Sequence, residues 1–251
     1  MATTELLYGR NAVMEALRAQ RRPLRRLLLA TGAHDSGAGH GPHALAEAAR
    51  QAEIPVAEMP RQQLDRLAPG VNHQGVLLEA SPYPYATLAE LAATDGAPPL
   101  YLALDQLQDP QNVGTLLRTA EAVGVTGVLI PEHRAAAITP AAVNASSGAT
   151  EWLRIARVTN LARTLARLKE GGCWVAGLEG VPEARLIDTA DLRGPLVLVI
   201  GSEGGGIARL VRETCDFLVR LPMRGQIASL NAAVAGSVAL YAIDRQRGEQ
   251  P

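Results

Sequence analysis

Three groups of polar residues interrupt the apolar runs of this sequence where chemistry could be done. Gly201-Ser202-Glu203-Gly204-Gly205-Gly206 follows the run Leu196–Ile200, Asn112 and Arg118 lie six apart after the run Leu100–Leu104, and Ser229-Leu230-Asn231 follows Leu221-Pro222-Met223. Each has a possible role. Glycines let a chain turn sharply and bring its backbone close to a ligand, and Glu203 among them has little cover, so it is free to meet solvent or a polar ligand. Arg118 lies among Leu116, Leu117, Ala120 and Ala122, where a charged side chain needs a partner or a ligand.

Purely structural roles compete with these. Asn112 could cap a helix or shape a turn, Ser229 and Asn231 could satisfy the free NH groups of a first helical turn, and Glu121 could pair with Arg118 on a helix surface. The glycine stretch lacks the lysine and hydroxyl residue of a phosphate loop and the glycine spacing of a dinucleotide fingerprint. Joint placement is the stronger argument. An apolar run of leucine and β-branched residues reads as a strand buried on both faces. Open α/β sheets bind ligands beyond the carboxyl ends of their strands, so one crevice could hold Asn112, Arg118, Glu203, Ser229 and Asn231.

The elements needed to form such a crevice are legible along the chain. After Leu100–Leu104 and a helix from Thr115 to Val123, strand patterns recur at 127–130, 153–158, 174–178, 196–200 and 217–221, with helices around 140–146, 161–169, 207–214 and 230–245. This alternation predicts a mainly parallel sheet covered by helices over residues 100–251. A smaller α/β unit is expected over residues 1–80, with a helix at 11–19, a strand at 27–30, a helix at 43–51, a strand near Val56, a helix at 62–67 and a last apolar run from Val76. The stretch 81–99, with four prolines, reads as the linker.

Composition narrows the class. At 251 residues and 47% hydrophobic the chain can bury substantial cores, and a formal net charge of −1 means that any nucleic-acid contact is local. Five arginines between Arg18 and Arg26, including Arg22, Arg25 and Arg26, could form a solvated helix end or a phosphate-contacting patch. Cys173 and Cys215 lie in or near apolar runs and are expected as reduced, buried thiols of a cytoplasmic protein. No apolar stretch has the length of a membrane span, and no signal peptide is expected. His34, His40 and His43 lack cysteines and regular ligand spacing, so no metal is expected, and residues 32–42 read as a mobile surface loop.

Taken together and in order, the motifs resemble the SpoU or TrmH-like branch of the knotted SPOUT RNA methyltransferases. The first family motif is matched by Asp109-Pro110-Gln111-Asn112-Val113-Gly114 with Arg118-Thr119-Ala120, the second by Ile200–Ile207, and the third by Leu221-Pro222-Met223 with Ser229-Leu230-Asn231. Ser146-Ser147-Gly148-Ala149 with Glu151 resembles the segment between the first two. Tyr8-Gly9-Arg10-Asn11-Ala12-Val13 with His73-Gln74-Gly75-Val76 resembles the N-terminal RNA-binding extension. The departures are Gly205, where a lysine is common, and Ala232-Ala233, where valine and serine are usual.

The resemblance implies an α/β protein whose C-terminal, mainly parallel sheet carries a deep trefoil knot, an exception to the rule against threaded chains, with a small N-terminal α/β RNA-binding domain of ribosomal-protein (L30e-like) type. It implies S-adenosylmethionine cradled by backbone around Gly201, Leu221 and Leu230, with Ile200 and Met223 beside it, and Asn112, Arg118, Glu203, Ser229 and Asn231 as catalytic residues. The implied reaction is methyl transfer to a ribose 2′-hydroxyl, most similar to members acting on a guanosine of large-subunit (23S) ribosomal RNA, by a cytoplasmic homodimer. In the family Arg118 is cast as the base. Arginine stays protonated in proteins, so gripping the adjoining phosphate and stabilising developing negative charge suits it better, with Asn112, Ser229 and Asn231 positioning the ribose and Glu203 ordering the loop or Arg118. Arg10, Arg22, Arg25 and Arg26 are the implied RNA contacts. Transfer RNA, another ribosomal nucleotide (including one methylated for resistance) and a non-catalytic RNA-binding adaptor stay open. A nicotinamide oxidoreductase is disfavoured by the missing fingerprint.

Overall fold

The computed structural model describes residues 4–32, 40–91, 96–133 and 135–248. His34 with most of the expected surface loop, and 92–95 of the proline-rich stretch, lie outside the described residues. The chain forms two compact units, one of residues up to Pro84 together with Ile138–Trp152, the other of Tyr85–Ala137 and Leu153 onward.

The first unit is built on a four-stranded sheet of β1 (Glu5–Tyr8), β2 (Leu24–Ala30), β3 (Val56–Met59) and β4 (Val76–Ala80) in the order β1-β4-β2-β3. β4 runs antiparallel to both neighbours, while β2 and β3 are parallel. Helix α1 (Arg10–Ala19) buries Ala12, Val13, Ala16 and Leu17, the stripe its apolar spacing dictates. Helices α2 (Pro42–Gln51), started by its proline, and α3 (Arg61–Leu67) complete the contiguous chain. Leu28, Leu64 and Leu77 are fully buried here.

Residues 138–152 pack with this unit although they lie far along the sequence. They carry α5 (Pro140–Ala145), capped by the Thr139 hydroxyl, and a single 3-10 turn at Ala149–Glu151. Their anchors are specific. Asn144 donates to the Tyr8 carbonyl at 3.0 Å, Tyr83 donates to the Thr150 carbonyl at 3.0 Å, and the Trp152 indole donates to Glu15 at 2.9 Å. At Gly148, with φ +89°, a Cβ would stand 2.6 Å from that of Glu15, so only glycine permits the approach.

The second unit carries a seven-stranded sheet of β5 (Leu100–Leu104), β6 (Gly127–Pro131), β7 (Ile155–Val158), β8 (Trp174–Leu178), β9 (Arg185–Leu186), β10 (Leu196–Ile200) and β11 (Phe217–Arg220), in the order β7-β6-β5-β10-β8-β11-β9. Every pairing is parallel. All five residues of β5 and of β10 are buried, as runs covered on both faces require. Alternation assigns their faces. Tyr101, Ala103, Val197 and Val199 join Val175, Leu165 and Val211 in one core with α6 (Leu161–Glu170) and α7 (Arg209–Thr214). Ile200 instead meets α8 (Ala232–Gly248), where a Cβ on Gly236 would stand 3.3 Å from its side chain. Helix α4 (Pro110–Ala122) packs on α8, and Thr119 and Ser237 hydroxyls meet at 2.9 Å. No helix among the described residues is long and apolar enough to cross a membrane.

Candidate active site

The site lies past the carboxyl ends of β8, β10 and β11. Ile200, the last residue of β10, pairs with Leu104 and Leu178 of its neighbours, so the turn at Gly201 emerges in the middle of the sheet. The loop closes on itself through Ser202 NH to Gly206 carbonyl and Gly206 NH to Ser202 carbonyl, both 3.0 Å. A Cβ on Gly201 would collide with the backbone of Gly206, which explains why the first position of the turn is glycine.

A cavity of about 730 Å³ opens there, lined by the glycine loop, Leu178–Val181 and the segments around Leu221 and 228–232. Its size suits a small-molecule cofactor. Ile200, Gly201, Leu221, Met223 and Leu230 line it, as do Glu203, Ser229 and Asn231. Apolar side chains beside turns rich in backbone NH and carbonyl groups fit the adenosyl and amino-acid parts of S-adenosylmethionine.

Two helix starts bring the polar groups together. Asp109 caps α4, its carboxylate accepting from Gln111 NH at 3.1 Å and Asn112 NH at 3.3 Å. Helix α4 therefore begins at Pro110 rather than near Thr115, and Asn112 is not the cap but lies in the first turn with its side chain free to bridge. Its amide donates to Glu203 at 3.2 Å and accepts from Asn231 at 3.0 Å. Asn231 also donates to Glu203, and its own oxygen caps α8 through Ala233 NH at 2.9 Å and Val234 NH at 3.2 Å. The capping role and the site role of Asn231 thus coexist in one side chain. Glu203 is ordered by two amides and not by Arg118.

Arg118 stands apart from this cluster. It is exposed on α4, does not line the cavity, and among the described residues no hydrogen bond or ion pair holds it, Glu121 included. A cation available for an incoming anion is what this geometry offers.

The arginines of the first unit divide. Arg22 is buried and pairs with Glu151 and Glu5, so the expectation that it contacts RNA is corrected: its guanidinium has no route to a phosphate. Arg25 is exposed, Arg26 pairs with Glu79 at 2.7 Å near the surface, and the Arg10 Nε donates to the Gln74 carbonyl at 3.4 Å. Sequence reasoning also missed Asp105 and Glu179, the residues that follow β5 and β8. Asp105 is buried and its carboxylate accepts from Ala208 NH at 2.6 Å, while Glu179 accepts from Ile207 NH at 3.0 Å. An acid directly after an apolar strand was the available signal. Among the described residues no cluster of three or more metal-ligating side chains is present.

Comparison with known proteins agrees with this geometry. Residues 99–241 match the SpoU rRNA methylase family and residues 6–86 the RNA 2′-O ribose methyltransferase substrate-binding family. The chain is 44% identical over 250 residues to the Pseudomonas aeruginosa 23S rRNA (guanosine-2′-O-)-methyltransferase RlmB, covering 98% of each. It is 45% identical over 247 residues to an uncharacterized tRNA/rRNA methyltransferase of Mycobacterium, covering 97% of this chain and 77% of that one. In fold it resembles the SpoU methyltransferase AviRb of Streptomyces viridochromogenes, solved in complex with AdoMet, with a TM-score of 0.81 at 24% identity over 98% of this chain and 92% of that one. The ordered motifs, the parallel sheet with its glycine turn and both family matches agree: this chain belongs to the SpoU rRNA methylase family.

Proposed function

We propose that the protein transfers a methyl group from S-adenosylmethionine to the ribose 2′-hydroxyl of a guanosine in 23S ribosomal RNA. The observation that carries this reading is the convergence of Glu203, Asn112 and Asn231 by hydrogen bonds at the rim of a cavity suited to the cofactor. Full-length similarity to the Pseudomonas enzyme points to the substrate. S-adenosylmethionine supplies an activated methyl on a sulfonium. The chain's own residues then have distinct tasks. The bridged amides of Asn112 and Asn231, with Ser229, position the ribose, and Glu203 fixes both amides. Arg118 grips the neighbouring phosphate and stabilises charge developing on the 2′-oxygen, because a fork of donors matches phosphate geometry.

The knotted C-terminal path and the ribosomal-protein-like N-terminal domain belong to this reading, as does a division into residues 1–80, 81–99 and 100–251. So does a cytoplasmic homodimer. Val234, Val238 and Tyr241 of α8, spaced i, i+4, i+7, leave one apolar stripe about half exposed, which a second copy would cover. Arg10, Arg25 and Arg26 are the RNA contacts. Single-stranded or looped RNA is favoured, because there the 2′-hydroxyl can be reached.

The test is methyl transfer from labelled cofactor to unmethylated total RNA, with mapping of the 2′-O-methylated position. A single 23S guanosine supports the proposal, label elsewhere replaces the substrate, and no label with cofactor bound favours an adaptor. Arg118→Ala is expected to abolish transfer while cofactor binding survives; normal turnover in that variant removes Arg118 from the mechanism.

A further inference from the structure

Two buried or half-buried carboxylates, Asp105 and Glu179, have no task in the proposed reaction, and they accept from two consecutive amides of the chain, Ala208 and Ile207. β5 and β8 flank β10 in register, Ile200 pairing with Leu104 on one side and Leu178 on the other. The next residues are therefore Asp105, Gly201 and Glu179, side by side across the sheet edge. Backbone bonds extend the alignment by one step: Asp105 NH donates to the Ile200 carbonyl at 2.8 Å and Glu179 NH to the Val219 carbonyl at 3.0 Å. The central strand runs on into the glycine loop, and its two flanking carboxylates reach over to the loop's exit. Ile207 NH donates to Glu179 Oε1 at 3.0 Å, and Ala208 NH donates to Asp105 Oδ2 at 2.6 Å.

The other surroundings of these groups fix them in turn. Glu179 Oε2 forms an ion pair with Arg212 of α7 at 2.8 Å, and Arg212 also reaches Glu183 at 2.7 Å. Gly206, with φ +63°, presses its Cα face on Glu179, where a Cβ would stand 2.9 Å from Oε1. Asp105 is almost completely buried, and a carboxylate is desolvated there only at a cost. An apolar residue in its place would satisfy a buried strand end as well. The acid is needed to hold the Ala208 amide. Glu179, Gly201 and Gly206 line the cavity, and the two amides that the carboxylates hold come directly after Gly206.

We propose that Asp105 and Glu179 are positioning residues for the methyl donor: a carboxylate on each strand flanking β10 holds one of two consecutive amides, Ala208 and Ile207, and so keeps the Gly201–Gly206 loop in its cofactor-binding shape. The inference rests on the assignment of this cavity to S-adenosylmethionine. Loss of either staple lets the loop exit move, and the effect falls on cofactor affinity before it falls on RNA.

The experiment measures S-adenosylmethionine binding by calorimetry, RNA binding, turnover at saturating cofactor and thermal unfolding for the full chain and four variants. Asp105→Asn and Glu179→Gln keep a carbonyl acceptor for the amides and are expected to bind the cofactor within about threefold of the parent, whereas Asp105→Leu and Glu179→Met remove the acceptor and are expected to weaken it by roughly tenfold or more. RNA affinity stays within about twofold, and turnover at saturating cofactor falls less than cofactor affinity does, because Glu203 rides on the same loop. Unchanged cofactor affinity in both apolar variants overturns the proposal, as does equal weakening in the conservative pair. If one apolar variant fails to fold the other carries the test; if both fail, the staples serve the fold alone and the proposal is overturned. Failure of the parent chain to bind S-adenosylmethionine would instead refute the cofactor assignment itself.

Discussion

Removing Arg22 should cost several kcal/mol of stability, because it strands a buried carboxylate. Its side chain is completely buried, its Nε lies 3.2 Å from Glu151 Oε2, and its remaining donors reach Glu151, Glu5 at 3.0 Å and the Ser81 carbonyl at 2.9 Å. Its guanidinium carbon also stands 5.6 Å from the Tyr83 ring centroid. In Arg22→Met, Glu151 is stranded, because its side chain is equally buried and Arg22 supplies its bonds. Breaking such a pair from one side costs about 3–5 kcal/mol. Glu5, partly exposed, can turn to water and adds at most about 1 kcal/mol. The total expected is about 3–6 kcal/mol. Glu151→Gln should cost less, about 1.5–3 kcal/mol, since Arg22 keeps Glu5, Ser81 and a neutral acceptor.

The double variant Arg22→Met, Glu151→Met removes both buried charges and should recover most of the loss, because apolar replacements of a buried pair are often neutral. Urea unfolding in a Trp174→Phe background reads the first unit through Trp152, whose indole bonds Glu15 within it. A loss under about 1 kcal/mol in Arg22→Met, or a double variant as unstable as the single one, would refute the claim that these residues act as one desolvated pair. The same outcome would reopen Arg22 as an RNA contact.

Two further outcomes follow from one partly buried thiol, Cys215, and one buried acid, Asp105, of the second unit. Burial, with Glu179 and Asp216 adding to it, pushes the Cys215 thiol up to about 12, so a thiolate-directed reagent at pH 8 should label it on the order of a thousandfold more slowly than an unfolded cysteine; labelling at the unfolded rate in native buffer would contradict that environment. Burial also raises the Asp105 carboxyl above its ordinary value, against the opposing effect of the Ala208 amide. A carboxyl raised in the folded state favours folding below its unfolded value and loses that contribution as pH rises through the folded one. Asp105→Asn should therefore gain stability relative to the parent as pH climbs from about 4 through the raised value, then hold a constant difference; a difference that shrinks over that window would reverse the sign of the argument.

The secondary structure and the motif order were legible because their signals are local. Fully apolar five-residue runs at Leu100–Leu104 and Leu196–Ile200 specify strands covered on both faces whatever surrounds them. Glycine at 201 is forced by a contact only five residues away. Asn231 could be suspected as a cap from its place before an alanine-rich helix, and it is one. Asp109 shows the limit: Asp-Pro before a helix is a strong start signal, and it displaces Asn112 from the cap and frees that amide for Glu203.

What tertiary structure alone decided depends on pairs far apart in the chain. The Asn112 and Glu203 contact spans 91 residues and that of Arg22 with Glu151 spans 129. Nothing in the local pattern of five clustered arginines says that one is desolvated while Arg25 stays in water, because that depends on whether a carboxylate from a distant segment arrives to neutralise it. The same holds for residues 138–152, whose helical pattern is plain but whose partners in the first unit are not. Asp105 and Glu179 read in sequence as polar residues ending apolar runs. Only the register of three parallel strands sets them on either side of Gly201, since hydrogen-bonded pairing between distant strands fixes which residues become neighbours.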